Sequence, residues 1–130
     1  MLDEILESVI ALALPYASPY TAITSGALPE TNGLTMYIGP GNPTTEYFSR
    51  GKDSRIVIVL NGKHSNQKTV LAAMANIHKG LSSRKSYASG AGWEITNIST
   101  STFPNYIERE ASSKQWLYGS ILALDFYMRG

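Results

Sequence analysis

Residues 115–129, which read QWLYGSILALDFYMR, decide the fold of this chain. When alternate residues are assigned to opposite faces of a strand, one face is mostly apolar and carries Trp116, Tyr118, Ser120, Leu122, Leu124, Phe126 and Met128. Aromatic and β-branched residues favour a pleated strand, and no helix cap precedes the segment. We therefore predict a central strand, paired on both edges, whose core residues include Trp116, Leu122, Leu124 and Phe126.

The size and composition of the chain predict one compact domain covering residues 1–130. Charged residues make up only 16% of the sequence, so the surface depends on uncharged polar side chains and is easy to desolvate, as protein partners require. Eleven basic and ten acidic residues give a formal charge of +1, which does not suggest a surface that follows nucleic-acid phosphates. The absence of cysteine excludes disulfides and thiolate metal sites.

The amino-terminal half of the sequence predicts one helix and short strands. Apolar residues at helical spacing indicate a helix over residues 2–14, stopped by Pro15, and acidic residues take the place of the basic ones a signal peptide would have. Residues 15–33 are expected to be a connector with a short strand near residues 20–23. A strand over residues 34–38 then leads into a rigid turn, and residues 44–49 form a second short strand or an extended arm.

The second half predicts a strand, a helix and a long hairpin. A turn is expected at residues 50–54, a buried strand at 55–60, a turn at 61–63 and a helix at about 66–82, capped by Ser65 or Asn66. Residues 89–92 are expected to be flexible. A strand from residue 93, interrupted or bulged at 103–105, then returns as the closing strand through a turn at 110–114. The predicted fold class is α+β, a two-layer sandwich with two helices on one face of a twisted, mostly antiparallel sheet.

Few residues suggest catalysis. The only histidines, His64 and His78, lack the spacing of a helical metal site, and we expect His78 to be a structural cation near a helix carboxyl end. His64 precedes a helix and has the chemistry of a base, but no nucleophile elbow or cysteine accompanies it. The acidic residues suggest no cleft, and Pro40 removes a donor that a phosphate loop would need. We predict no catalytic residues, no metal and no cofactor.

The order and spacing of several segments resemble the tail terminators and minor capsid (tail-completion) proteins of long-tailed bacteriophages. These segments are the acidic helix at the amino end, the turn MYIGPGNP at residues 36–43, the strand ending in NGK at 61–63, the helix from about residue 67, the stretch PNYIER at 104–109 and the closing QWLY at 115–118. The resemblance covers most of the chain. It rests on order and spacing, because no single motif is specific.

This resemblance implies a non-catalytic virion protein, assembled in the host cytoplasm, that joins the phage head to its tail. Family members form rings, usually hexameric, that cap the major tail tube protein, stop its polymerisation and meet the head connector or a completion protein. DNA would pass through the lumen without sequence-specific binding, and no membrane is involved. A ring subunit repeats one contact between two unlike patches. Three alternatives stay open: another head-tail completion protein, a small monomeric ligand-binding module, and a hydrolase using His64.

Two loop regions are the predicted contacts with partners. Both are places where segments can become ordered on assembly, or can instead be surface in the isolated subunit with Tyr47 or Phe48 folded onto the core. If the ring surrounds DNA, Arg50 and Lys52 would face the lumen. The second face of the closing strand, with Ala123, Asp125, Tyr127 and Arg129, is expected to meet something other than the chain's own helices. The predicted partner-binding residues are Thr45, Tyr47, Phe48, Arg50, Lys52, Arg84, Lys85 and Tyr87.

Overall fold

The computed structural model describes residues 2–39 and 52–128 of the chain. The first part holds one helix, a single 3₁₀ turn and two strands, and the second part holds the remaining helix and four strands. In chain order the elements are α1 (Leu2–Ala13), the 3₁₀ turn (Leu14–Tyr16), β1 (Thr24–Ser25), β2 (Gly33–Ile38), β3 (Lys52–His64), α2 (Gln67–Ser82), β4 (Ser89–Gly90), β5 (Trp93–Glu110) and β6 (Gln115–Met128).

The strands form one six-stranded sheet in the order β1-β2-β3-β6-β5-β4. Only β1 and β2 run parallel, and every other neighbouring pair is antiparallel. The closing strand β6 lies between β3 and β5, so its backbone groups are paired on both sides. The sheet is strongly curled, and the two helices pack on it in the predicted α+β arrangement with the long β5-β6 hairpin. The fold class and the central position of β6 are therefore confirmed.

The core lies between the helices and one face of the sheet. Leu122, Leu124 and Phe126 of β6 are fully buried there, as predicted, whereas Trp116 is half-buried and packs against the edge of the core. The helices supply the other half through the stripes of apolar side chains that their sequences predict. The buried helical residues are Ile5, Val9 and Ala13 of α1 and Val70, Ala73, Met74, Ile77, His78 and Leu81 of α2.

Both predicted helices are present, with bounds set by local chemistry. The α-helical part of α1 ends at Ala13, because Pro15 brings the chain into a 3₁₀ turn instead of simply stopping the helix. The start of α2 is set by Asn66, whose side-chain Oδ1 accepts hydrogen bonds from the backbone N–H groups of Lys68 at 2.9 Å and Thr69 at 3.4 Å. Of the two expected caps, Asn66 is the one used.

Strand β3 is longer at both ends than the sequence predicted. The sequence predicted turns at residues 50–54 and 61–63. Both predictions were wrong for the described residues, because Lys52–Ser54 and Asn61–Lys63 lie within β3 and pair with β6. The Asn-Gly pair does not turn the chain because β2 and β6 bind the backbone of β3 from both sides at this point. Gly62 is needed for another reason. A Cβ there would lie 2.6 Å from Leu34 Cδ2 and 2.8 Å from Val70 Cγ2, so the missing side chain lets α2 approach the sheet.

The two edges of the sheet also differ from expectation. The short strand expected near residues 20–23 lies at Thr24–Ser25 instead, where the Thr35 hydroxyl shares its one proton between the carbonyl oxygens of Thr24 and Gly26. The flexible approach expected at residues 89–92 is a small hairpin, in which Ser89 and Gly90 pair with Glu94 and Trp93. The ring of Trp93 covers Gly90, which has no side chain to displace it.

His78 is buried at the helix-sheet interface, with 3% of its surface exposed. Its Nδ1 lies 2.8 Å from Thr100 Oγ1 and its Nε2 lies 2.8 Å from Ser120 Oγ. Because Ser120 Oγ donates its proton to the Leu60 carbonyl at 2.9 Å, Ser120 accepts from Nε2–H. A neutral imidazole with its proton on Nε2 then accepts from the Thr100 hydroxyl at Nδ1, so both ring nitrogens are satisfied without a charge.

The expectation of a cationic His78 was wrong, although its role is structural. Burial lowers the pKa of His78 to about 4, because the imidazolium would lose water without gaining a carboxylate. The helix dipole, which motivated the expectation, is weaker than this desolvation. Since Ser120 is equally buried and bonded to Leu60, the Ser120-His78 pair fixes α2 on the sheet and is not an accessible nucleophile and base.

The pKa of His78 predicts a loss of stability in mild acid. In the unfolded chain His78 takes up a proton near pH 6.5. Its contribution to the free energy of unfolding is therefore full above that pH, and it falls by about 3 kcal/mol as the pH drops to 4. We expect the midpoint of urea unfolding in His78→Asn to depend less on pH between 4 and 7 than in the wild type. His64→Asn is the matched control and should keep the wild-type slope. An equal slope in His78→Asn would contradict a neutral, buried His78.

Candidate interaction surface

The distal part of β5 exposes large apolar side chains to solvent. Phe103 is 75% exposed, Tyr106 54% and Ile107 49%, and these three make up most of the exposed large hydrophobic side chains in the described part of the chain. We call these three residues the hairpin patch, although Tyr106 lies on the helical face of the sheet beside Tyr118 and Ile107 lies on the outer face over Gly119. Exposed apolar side chains this close together along one strand indicate an interaction site on this part of the hairpin.

Aromatic contacts hold the hairpin patch in place. The ring of Tyr106 lies 6.0 Å from those of Trp116 and Tyr118 on β6, in tilted and edge-on geometries that favour aromatic pairs. Arg109 lies over the Trp116 ring, with Cζ 5.5 Å from its centroid. Tyr118 in turn donates a hydrogen bond to Gln67 Oε1 at 3.2 Å, which ties the cluster to the first turn of α2. The patch therefore lies on a rigid support.

The edge of β5 is poorly suited to pairing with another strand. The pairing with β6 shifts register at four places between Ile95 and Glu108, and Pro104 removes a backbone donor. Bulges and proline are devices that prevent edge-to-edge association. Asn105 adds to the irregularity, because its amide donates to the carbonyl oxygens of Phe103 and Gly119 and so occupies two acceptors. A partner would therefore contact side chains of the hairpin patch instead of extending the sheet.

Two polar contacts attach the end of the hairpin to the body of the protein, and we call them the hairpin anchor. Lys63 Nζ lies 3.1 Å from Glu110 Oε1, and only 8% of the Lys63 side chain is exposed. The backbone N–H of Asn32 donates to Gln115 Oε1 at 2.8 Å. Hydrogen bonds from Ser113 and Lys63 lower the pKa of Glu110, because both favour its carboxylate.

The outer face of the sheet, opposite the helices, is less polar than the sequence suggested. Its central residues are the half-buried Val57, Val59 and Ile121 and the nearly buried Ala123. At one end Arg55 forms a two-point ion pair with Asp125, with Nε 2.6 Å from Oδ1 and Nη2 3.2 Å from Oδ2. The sequence analysis predicted a mixed face partly because of Asp125. Arg55, at the start of the predicted strand, neutralises the negative charge of that carboxylate.

Of the predicted partner-binding residues, those that the structure describes lie apart from the hairpin patch. Thr45, Tyr47, Phe48 and Arg50 lie outside the described residues, and the backbone of Lys52 begins β3 opposite Met128. The remaining three lie after α2. Arg84 is half-buried, with Nε 3.0 Å from the Ser86 carbonyl, Lys85 is exposed, and the Tyr87 hydroxyl donates to the Leu81 carbonyl at 2.7 Å with its ring against the core.

The sequence predicted an interruption or a bulge at residues 103–105, and the register shift between Thr102 and Asn105 confirms the bulge. The sequence did not predict that the apolar side chains around it are exposed. One signal was available. A proline inside a strand indicates an edge, and the apolar residues Phe103 and Ile107 on either side of Pro104 then have no second neighbouring strand to pack against. Which of them would reach solvent depended on the four register shifts, and these follow from the tertiary pairing.

Two clefts lie on the helical side of the molecule. The first, of about 360 Å³, is lined by Tyr20, His64 and the loop around Asn32. Tyr20 donates to the Lys63 carbonyl at 2.9 Å, and burial raises the pKa of Tyr20 to about 12. His64 Nδ1 accepts from the Asn66 N–H at 3.0 Å, so that lone pair is not available for base catalysis.

The second cleft, of about 470 Å³, lies between the 3₁₀ turn and the last turns of α2. Its apolar wall includes Pro15 and Tyr16, and Lys79 and Arg84 stand on its rim. Gly80 allows the Tyr16 ring to pack against α2, because a Cβ there would lie 2.6 Å from carbons of that ring. We call this cleft the α2 groove.

Among the described residues, no three His, Cys, Asp or Glu side chains are grouped as a metal site would require. In the same part of the chain, no helix combines the length and apolar character needed to cross a membrane.

No family model matches the sequence, and no curated protein matches it either.

The hairpin anchor predicts that Glu110→Gln destabilises the protein, because the poorly solvated Lys63 ammonium would lose its counter-charge. The midpoint of urea unfolding at pH 7 should fall, and it should recover in the double variant Lys63→Met with Glu110→Gln, which has no buried charge. Glu7→Gln in α1 is the control, since Glu7 is exposed. Equal midpoints for Glu110→Gln and Glu7→Gln would contradict this role of the ion pair.

Proposed function

We propose that the protein is a virion structural subunit, a tail terminator that assembles as a ring on the phage tail tube. The observation that carries the proposal is the hairpin patch, where Phe103, Tyr106 and Ile107 are exposed on a rigid support. Exposed apolar area of this kind is desolvated by a protein partner. The kind of assembly is proposed from the order and spacing of the sequence segments, which resemble those of tail-completion proteins.

The shape of the subunit suits repeated contacts. A ring needs two unlike patches on different sides of a rigid body, so that each copy binds the next until rotation closes. The long ladders between β3, β6 and β5 provide the rigidity. The hairpin patch on the long hairpin and the α2 groove at the end of α2 provide surfaces that differ in shape and composition.

The weak net charge fits the passage of DNA. A formal charge of +1 for the whole chain gives a ring little attraction for phosphates, so DNA would slide through its lumen without being held. In this proposal the partners are other copies of the chain, the major tail tube protein and a head connector or completion protein.

The proposal predicts ring assembly. Sedimentation velocity of the purified chain and negative-stain microscopy of the chain mixed with tubes of the tail tube protein from the same genome should reveal rings, with a hexamer expected. Added subunits should also stop tube growth at the capped end. A chain that stays monomeric alone and does not bind the tubes would overturn the proposal. Rings that bind the tubes without stopping growth would favour another head-tail completion protein.

A monomeric ligand-binding module is the second candidate, and the cleft beside Tyr20 and His64 is the observation that favours it. That module would be monomeric at all concentrations, and a small polar molecule would raise its melting temperature. His64→Ala should abolish the rise.

A further inference from the structure

We infer that the hairpin patch of one copy docks into the α2 groove of the next copy, with Phe103 entering the groove. This inference rests on the proposed assembly function and names the contact that would build the ring. The bound partner is a second copy of this chain, and the contact joins two different surfaces, as a closed ring requires.

The two surfaces match in apolar character. Phe103 has three quarters of its surface exposed and gains the most from burial of any side chain in the hairpin patch. The α2 groove offers Pro15 and the ring of Tyr16, which covers Gly80, in an open cleft of about 470 Å³. Leu14, 38% exposed in the same 3₁₀ turn, extends the apolar area beside the groove.

Each surface also carries an exposed charge that can pair with the other, Glu108 on the hairpin and Lys79 at the groove, while Arg109 beside Glu108 lies over the Trp116 ring. Glu108 is exposed next to Ile107, and Lys79 is exposed on the rim of the groove with Arg84 beside it. Within residues 2–39 and 52–128, neither Glu108 nor Lys79 forms a salt bridge. Both charges are therefore available for a pair across an interface, where they would fix orientation and speed association.

The positions of the two surfaces exclude a contact within one copy. The hairpin patch lies by the first turn of α2, because Tyr106 touches Tyr118 and Tyr118 is bonded to Gln67. The groove is lined by the end of the same helix, from Asn76 to Arg84. With 16 residues, α2 is about 24 Å long, so the two surfaces lie at opposite ends of the helical layer. Such an arrangement favours head-to-tail association.

Charge reversal and its rescue by mixing provide the test. Alone, Glu108→Lys would place two lysines at the contact and Lys79→Glu would place two carboxylates there, so each variant should associate several-fold more weakly than the wild type. In an equimolar mixture every contact joins opposite charges when the two variants alternate, so association should recover. Sedimentation velocity at low salt measures both effects, and added salt should weaken them.

The apolar contact is tested by Phe103→Ser, which should weaken self-association roughly tenfold or more. Phe103 is mostly exposed in the single copy, so the variant should fold normally, which circular dichroism and thermal unfolding would verify. Leu71→Ser is the matched control, since Leu71 is 39% exposed on α2 and does not line the groove. It should assemble like the wild type.

The outcomes separate this contact from the proposed function. Rings that form equally well from Phe103→Ser, or charge variants that mixing does not rescue, would overturn the docking of the patch into the groove while leaving a ring-forming subunit. A wild-type chain that stays monomeric alone and on tail tubes would overturn both. Weakened association in all three variants, with recovery on mixing, would support the contact.

Discussion

The pairing of β6 with β3 on one side and β5 on the other is the constraint on which the rest of the structure depends. This double ladder satisfies the backbone of an apolar strand that could not be buried otherwise. It fixes which residues face the helices, and it carries the hairpin beyond the core. Without β3 and β5 on its edges, the exposed β6 would be an aggregation site.

Burial of a polar group at the centre of this sheet shows how the fold is kept specific. His78, Ser120 and Thr100 form a connected set with the Leu60 carbonyl, in which each hydrogen-bonding group has a partner. The set joins α2 to β3, β5 and β6 at one point, so a shift in the register of any strand would leave buried donors unsatisfied. Burial keeps the imidazole neutral, and for that reason His78 contributes packing and not charge.

The long strands β5 and β6 form both the centre of the sheet and the hairpin patch. Because β5 and β6 are longer than the core needs, their distal part projects Phe103, Tyr106 and Ile107 into solvent. The hairpin anchor and the aromatic contacts to Trp116 and Tyr118 hold this extension against the body. A binding surface on a rigid strand loses less conformational entropy on association than a loop would, which favours a role in a permanent assembly.

The sequence by itself determined the α+β class, the two helices, the hairpin and the core face of β6, because side-chain periodicity reports local structure directly. Tertiary structure alone decided that Asn61-Gly62 stays within β3, since strands on both sides outweigh a local turn preference. It also decided that His78 is neutral, because desolvation depends on what surrounds the ring. Finally, register shifts in β5 decided which apolar side chains reach solvent, and these shifts arise only when the strand pairs with β6.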